Sequence, residues 1–321
     1  MKILVTGAGG FIGGHLVKSL LSEGHAIRAV DCKPLNEWHQ LFTDAENLSL
    51  DLTLKDNCDH AAHEVNEIYS LACNMGGIGF IETHRMDCMF SILINAHLLQ
   101  SAIRNGVSKY FYSSTACVYN KTKQSSTNVV PLKEEDAYPA LPEAGYGWEK
   151  LFTEQLCLEV AKESSLKIRI ARFHNVYGPF GTWFGGREKA PAAMCRKVAM
   201  VKLGQSDCIE IWGDGNQMRS FMHIDDCIIG IKKIMTSNIE EPINLGSSEV
   251  ISINDLADIV EDIAGVKAGR KHDLAAPLGV MGRSSDNTKI KSYLGWEPSI
   301  PLGQGLEGTY NWIYQQCKSQ F

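Results

Sequence analysis

The feature that most constrains the fold is a glycine-rich turn close to the N-terminus. The apolar run Lys2–Thr6 predicts a buried strand, and the stretch that ends at Ser22 predicts a helix with leucines on one face. Gly7-Ala8-Gly9-Gly10-Phe11-Ile12-Gly13 joins the two. Glycines at such a junction allow a tight turn and let backbone N–H groups at the helix start approach a pyrophosphate. The predicted dinucleotide loop consists of Gly7, Gly10, Phe11, Ile12 and Gly13.

Acidic residues after the next strands indicate which dinucleotide is bound. Asp31 ends the second apolar run, Ala26–Asp31, where a carboxylate can accept a hydrogen bond from a ribose 2′-hydroxyl. The same charge would repel a 2′-phosphate, so we expect NAD rather than NADP. Asp51 with Leu52 follows a third short run and is either an adenine contact or a lone loop acid. Leu71, within the run Glu67–Ala72, also belongs to the predicted cofactor set, as do Tyr146 and Lys150.

The first half of the chain alternates short apolar runs with helical stretches. Tyr110–Ser114 and Lys167–Phe173 read as further strands, and Ile92–Asn105 reads as a helix between strands. This alternation is typical of an α/β fold with a doubly wound parallel sheet and helices on both faces. After Gly178 the sequence is rich in glycine, which predicts irregular structure. Further along the chain we expect a helix with Ser252 as its N-cap.

Composition excludes several classes of function. The net charge is −6 and no basic block occurs, so we expect no nucleic-acid partner. No unbroken run of about 18 apolar residues is present, so we expect no membrane span. The ten cysteines form no CxxC pair, and with no signal peptide recognised at the N-terminus they indicate reduced thiols and a cytoplasmic location. No spacing of His, Cys, Asp and Glu resembles a metal site.

A tyrosine and a lysine provide the first catalytic candidates. Tyr146 and Lys150 are four residues apart, which places them on one face of a helix. A nearby ammonium is expected to favour the phenolate form of the tyrosine by charge attraction. The pair could then take a proton from a hydroxyl while a nicotinamide takes the hydride. Ser114 or Thr115, at the end of the preceding strand, would hold the reacting oxygen.

Together these motifs resemble the extended short-chain dehydrogenase/reductase superfamily, which contains the nucleotide-sugar epimerases and dehydratases. The order and spacing of the glycine loop, Asp31, Ser113–Thr115, Tyr146 and Lys150 carry the resemblance. It implies a Rossmann-type sheet with bound NAD and a smaller C-terminal α/β substrate domain. The expected division is 1–177 and 178–321, with a segment near 219–245 packing back on the first domain.

A narrower resemblance rests on the long run from Arg172 to Lys197. This run, with Ala116-Cys117-Val118-Tyr119, is similar to the GDP-mannose 3,5-epimerase family. The resemblance implies that Cys117 and Lys189 are an acid/base pair that inverts C3 and C5 of a GDP-sugar after transient oxidation at C4. It also implies a homodimer through helices near 92–105 and 148–162. The implied substrate contacts are Gly76, Thr115, Asn175, Glu188, Lys189, Ala190, Lys197, Gln217, Arg219 and Arg283.

Other interpretations of these residues stay open at this point. From the residues alone, Cys117 would be a buried apolar side chain and Lys189 a surface lysine. A 4-epimerase or a 4,6-dehydratase of another nucleotide sugar is an alternative, although a dehydratase should carry an acid where Ala116 and Cys117 stand. A non-catalytic, redox-sensing NAD-binding protein is a third alternative. Arg219 and Arg283 suit a diphosphate, because guanidinium groups bind phosphate in a bidentate manner.

Overall fold

A seven-stranded parallel sheet forms the centre of the N-terminal part, in the order β10-β6-β5-β4-β1-β2-β3. The computed structural model describes residues 1–321. Its strands are β1 (Lys2–Thr6), β2 (Ala26–Asp31), β3 (Glu46–Ser49), β4 (Glu67–Ser70), β5 (Lys109–Thr115), β6 (Lys167–Phe173), β7 (Asn175–Tyr177), β8 (Cys208–Trp212), β9 (Met218–His223), β10 (Ile243–Leu245), β11 (Val250–Ser252), β12 (Gly269–Asp273) and β13 (Gly282–Arg283). Its helices are α1 (Phe11–Ser22), α2 (Lys55–Ala62), α3 (Ile78–Thr83), α4 (Arg85–Met89), α5 (Ile92–Arg104), α6 (Tyr146–Glu163), α7 (Ala190–Lys202), α8 (Ile224–Thr236), α9 (Ile253–Ala264), α10 (Thr288–Leu294) and α11 (Leu302–Gln320).

Helices cover both faces of this sheet, as the strand–helix alternation predicts. Because side chains of a strand alternate between faces, Ile3 and Val5 of β1 pack in one core with side chains of α1 and α8. Leu4 lies in the opposite core, with side chains of α2, α5 and α6. Strand β1 pairs with β2 on one side and β4 on the other, so the strand order reverses there. Ligands of such folds bind in the crevice that this reversal opens at the carboxyl ends of the strands.

The C-terminal part adds two smaller sheets. Strand β9 pairs with β11, β13 and β7, and β12 pairs with β8. Helices α7, α9 and α11 enclose a third core between them, which includes Val198, Leu256 and Ile313. Strand β10 returns to the large sheet beside β6, and side chains of α8 belong to the same core as those of α1. The division of the chain at residue 177 stays a prediction.

Local capping explains where helix α9 begins and ends. The Ser252 hydroxyl accepts from the Asp255 N–H at 3.0 Å, and the Asp255 carboxylate accepts from the Ser252 N–H at 3.1 Å. This reciprocal capping box confirms the predicted helix start. The helix ends at Gly265, whose φ of 66° is left-handed.

One helical segment, Arg85–Arg104, is long and apolar enough to cross a membrane by length and composition, with a mean hydropathy of 1.2. Polar residues interrupt this segment, so it is not an unbroken apolar run, and the expectation of no membrane span stays a prediction. Core helices pass the same test. Here the segment divides into α4 and α5, and side chains of α5 pack in a core with those of α2.

Candidate functional site

The glycine loop has a backbone that only glycine permits at two positions. Gly7 has a φ of 70°, and a Cβ on Gly13 would lie 2.0 Å from the Gly7 carbonyl oxygen. The first turn of helix α1 is therefore packed against the backbone of the loop. Its N-cap, Gly10, offers no capping side chain, and the first turn carries no acidic residue. The exposed N–H groups at this end suit an anionic pyrophosphate.

Only some of the other predicted cofactor residues have positions that fit a dinucleotide at this loop. Asp31, at the end of β2, is buried and its Oδ1 accepts from the Lys33 N–H at 3.1 Å. Leu71 follows β4, and a Cβ on Gly7 would lie 3.0 Å from its carbonyl carbon. Asp51 is exposed and its carboxylate accepts from Thr53, while the side chain of Leu52 packs in the core. The loop, Asp31 and Leu71 thus fit a dinucleotide, whereas Leu52 would contribute backbone only.

A cavity of about 400 Å³ opens beside the carboxyl ends of β5 and β6. Elements of the C-terminal part close its other side, among them α7, β8, β9 and β13. Cys117 and Tyr146 line this cavity. So do all the predicted substrate residues: Gly76, Thr115, Asn175, Glu188, Lys189, Ala190, Lys197, Gln217, Arg219 and Arg283.

Tyr146 and Lys150 lie on the first turns of α6, with both side chains buried. The Lys150 ammonium donates to the Ser113 carbonyl oxygen at 2.9 Å and lies 5.8 Å from the centre of the Tyr146 ring. Burial nevertheless raises the pKa of Tyr146 well above its ordinary value of 10. Desolvation of the phenolate outweighs the favourable contacts, and the effect of Lys150 on this pKa stays a prediction.

The two candidate hydroxyls at the end of β5 lie on opposite faces of the strand. The Thr115 hydroxyl faces the cavity and accepts from the Cys117 N–H at 3.3 Å. The Ser114 hydroxyl is buried on the other face, where it donates to Glu154. This placement corrects the expectation that Ser114 could hold the reacting oxygen and leaves Thr115 as the hydroxyl in the cavity.

Cys117 and Lys189 reach the cavity from different parts of the chain. Cys117 lies in a single helical turn after β5, and burial together with Glu143 raises the pKa of its thiol. Lys189 is the N-cap of α7, and burial lowers the pKa of its ammonium. Lys189 is half-buried and lines the cavity. Both shifts favour the uncharged thiol and the uncharged amine, so a base at Cys117 and an acid at Lys189 form only once a proton has left the thiol and the amine has gained one.

The two predicted phosphate-binding arginines differ in their surroundings. Arg219 Nη1 and Nη2 donate to the carbonyl oxygens of Met218 at 2.9 Å and Leu278 at 3.2 Å. Burial lowers the pKa of Arg219 to about 10. Arg283 instead pairs with the carboxylate of Glu143 and lies beside Cys117. Sequence reasoning missed Glu143, whose only local signal is its position shortly before Tyr146.

The histidines have structural contacts. His174 Nε2 lies 3.1 Å from Asn244 Oδ1, and burial lowers the pKa of His174 to about 3. His223 Nδ1 accepts from the Asp225 N–H and caps α8. No group of three or more His, Cys, Asp and Glu side chains could hold a metal ion.

Comparisons with known proteins agree with this geometry. Residues 3–246 match the model of the NAD dependent epimerase/dehydratase family. The chain is 44% identical over 321 residues to GDP-mannose 3,5-epimerase 1 of Oryza sativa subsp. indica, covering 100% of this chain and 83% of that protein.

Solved structures are also similar over nearly the whole chain. The UDP-glucose 4-epimerase of Thermotoga maritima, with UDP-glucose, superposes with a TM-score of 0.88 at 25% identity, covering 98% of this chain and 99% of that one. The UDP-glucuronic acid 4-epimerase of Bacillus cereus, in complex with UDP-glucuronic acid and NAD, gives a TM-score of 0.84 at 27% identity, covering 98% and 100%.

Proposed function

The chain belongs to the NAD dependent epimerase/dehydratase family, and we propose that it inverts C3 and C5 of GDP-mannose through a transient 4-ketone. One observation carries the proposal. A thiol and an amine, Cys117 and Lys189, line the same cavity as Tyr146. A 4-epimerase needs only the tyrosine and the hydride carrier, so two more proton-transfer groups indicate chemistry at further carbons. The identity to the Oryza sativa epimerase supports the same reaction.

The residues that would hold NAD follow from the loop geometry. Gly7, Gly10 and Gly13 would bring backbone N–H groups to the pyrophosphate, and Asp31 would accept from a ribose hydroxyl. Bound NAD would take the C4 hydride and later return it, so it would not be consumed.

Tyr146 would take the proton of the C4 hydroxyl and give it back at the end of the cycle. Burial raises the pKa of its phenol, which favours the protonated form. The buried Lys150 ammonium supplies a fixed cation near the ring, which would stabilise the phenolate as it forms. The Thr115 hydroxyl, in the same cavity, would donate a hydrogen bond to the C4 oxygen.

Cys117 and Lys189 would invert the neighbouring carbons. A ketone at C4 acidifies the C–H bonds at C3 and C5, because the resulting carbanion is an enolate. We assign proton removal to Cys117 and proton return to Lys189 on the opposite face of the ring. The lowered pKa of Lys189 makes its ammonium a better proton donor than an exposed lysine.

Exposed apolar side chains support a homodimer. Leu93 and Ile103 of α5 and Trp148 and Phe152 of α6 are all exposed. Large apolar side chains concentrated on two helices suit a second copy of the same surface. We also propose a cytoplasmic location, because all ten cysteines are free.

Separation of the products formed from GDP-mannose tests the function. The proposal predicts isomers of unchanged mass with inverted C3 or C5. Loss of water would indicate a dehydratase, inversion at C4 alone a 4-epimerase, and no product a binding protein. Cys117→Ala should abolish the products, whereas Cys208→Ala, at an exposed cysteine outside the cavity, is the matched control.

A further inference from the structure

Glu143 lines the cavity and contacts Arg283, which lies beside the proposed base. It belongs to the loop before α6, and its backbone N–H donates to the Cys117 carbonyl oxygen at 3.0 Å. Its carboxylate forms an ion pair with Arg283. Only 14% of the Glu143 side chain and 8% of the Arg283 side chain are exposed, so the pair is largely shielded from water.

Arg283 is held on three sides. Its Nε donates to Gln124 Oε1 at 2.6 Å, Nη2 donates to Glu143, and Nη1 lies 3.6 Å from the Cys117 sulfur. The contacts with Gln124 and Glu143 therefore fix the plane of the guanidinium, and the third nitrogen, Nη1, lies beside the Cys117 thiol. A rigid guanidinium loses little side-chain freedom when a thiolate forms beside it.

We propose that Glu143 is a positioning residue that holds the Arg283 guanidinium against Cys117, so that a cation stands beside the thiolate when this cysteine is deprotonated. The inference rests on the proposed function for the role of Cys117 as a base. Arg283 then has a second role, besides its expected contact with the diphosphate of the substrate.

The charges around Cys117 make the sign of the change in its pKa the test of the proposal. The cations facing the thiol are Arg283, Lys189 and Arg219, and the groups that carry or can acquire negative charge are Glu143 and Tyr146. Glu143 has two opposite effects on the pKa of the Cys117 thiol. Its negative charge disfavours the thiolate and raises this pKa, whereas its ion pair with Arg283 holds a cation beside the thiolate and lowers it. Removing the whole carboxylate therefore raises the thiol pKa if positioning dominates and lowers it if direct repulsion dominates.

The test is the pH dependence of alkylation of Cys117 by iodoacetamide, followed by mass spectrometry of the Cys117 peptide from the full-length protein. Alkylation requires the thiolate, so its midpoint reports the thiol pKa. In Glu143→Ala we expect the midpoint to rise by about one pH unit, which slows alkylation about tenfold at a fixed pH below it. Buried Cys157 in the same sample reports whether the fold is intact, because it stays unalkylated only while the chain is folded.

Two further variants separate positioning from other effects. Glu143→Gln keeps an oxygen that can accept from Arg283 but removes the charge, so its midpoint should lie below that of Glu143→Ala. In an Arg283→Met background, Glu143→Ala should no longer raise the midpoint, because there is no guanidinium to hold. An unchanged or lowered midpoint in Glu143→Ala, or an equal rise without Arg283, overturns the proposal.

The outcome is independent of catalysis. If the thiol midpoint shifts as expected but GDP-mannose gives no 3,5-epimers, the proposed function fails and the positioning of Arg283 stands as a property of the cavity. If epimers form and the midpoint in Glu143→Ala does not rise, the positioning role alone is wrong.

Discussion

Glu154→Leu tests the buried polar layer behind the cavity. Arg172 Nε and Nη2 donate to the two carboxylate oxygens of Glu154 at 2.9 and 2.7 Å, and only 3% and 0% of the two side chains are exposed. The same carboxylate accepts from Ser114, at the end of the strand that carries Thr115. The substitution leaves the Arg172 guanidinium buried without its counter-charge.

The expected loss of unfolding free energy is about 3–5 kcal/mol, because removing one partner of a buried pair leaves an uncompensated charge. Urea unfolding followed by circular dichroism measures it. Two controls give the comparison. The double variant Arg172→Met with Glu154→Leu should recover most of the loss, since no charge stays buried. Breaking the exposed Lys162–Glu159 pair, with side chains 67% and 58% exposed, should cost less than about 1 kcal/mol.

The reasoning is refuted if Glu154→Leu costs no more than the Lys162→Met control. It is also refuted if the double variant is as unstable as Glu154→Leu, because the loss would then reflect packing rather than an unpaired charge.

Three other predictions follow from single contacts. Gly13→Ala should release NAD from the purified protein and lower stability by about 1–3 kcal/mol, since its Cβ would lie 2.0 Å from the Gly7 oxygen. Tyr146→Phe should slow product formation about 10²–10⁴-fold at unchanged fold. In the folded chain the pKa of His174 is lowered to about 3, so as the pH falls this histidine is protonated in the unfolded chain before it is protonated in the folded chain. Wild-type stability should therefore fall as the pH drops from about 6.5 toward 3, and urea midpoints of His174→Gln should fall less.

The N-terminal fold could be predicted from sequence because its signals are local. Strand β1 holds three consecutive apolar residues, and the glycine loop fixes where β1 ends and α1 begins. The short strands β7, β11 and β13 have two or three residues each, which is too few for a periodic pattern. Their place depends on pairing with β9, a contact between distant parts of the chain.

The candidate site could be predicted in part, mainly through the family resemblance. From the residues alone Cys117 and Lys189 would have been a packed cysteine and a surface lysine. The choice between Ser114 and Thr115 needs the register of β5, and the raised pKa of Tyr146 needs its burial, which the tertiary fold decides. Glu143 was missed because its partner, Arg283, is 140 residues away.

Hydrogen exchange into the sugar tests the central claim most directly. The protein is incubated with GDP-mannose in D2O, and deuterium at each ring carbon is measured by NMR. We expect deuterium at both C3 and C5 and none at C4, because the C4 hydrogen travels as a hydride that water does not exchange. Cys117→Ala should lose the exchange at C3 and C5. Deuterium at neither carbon in the wild-type reaction would contradict proton transfer through a 4-ketone by Cys117 and Lys189.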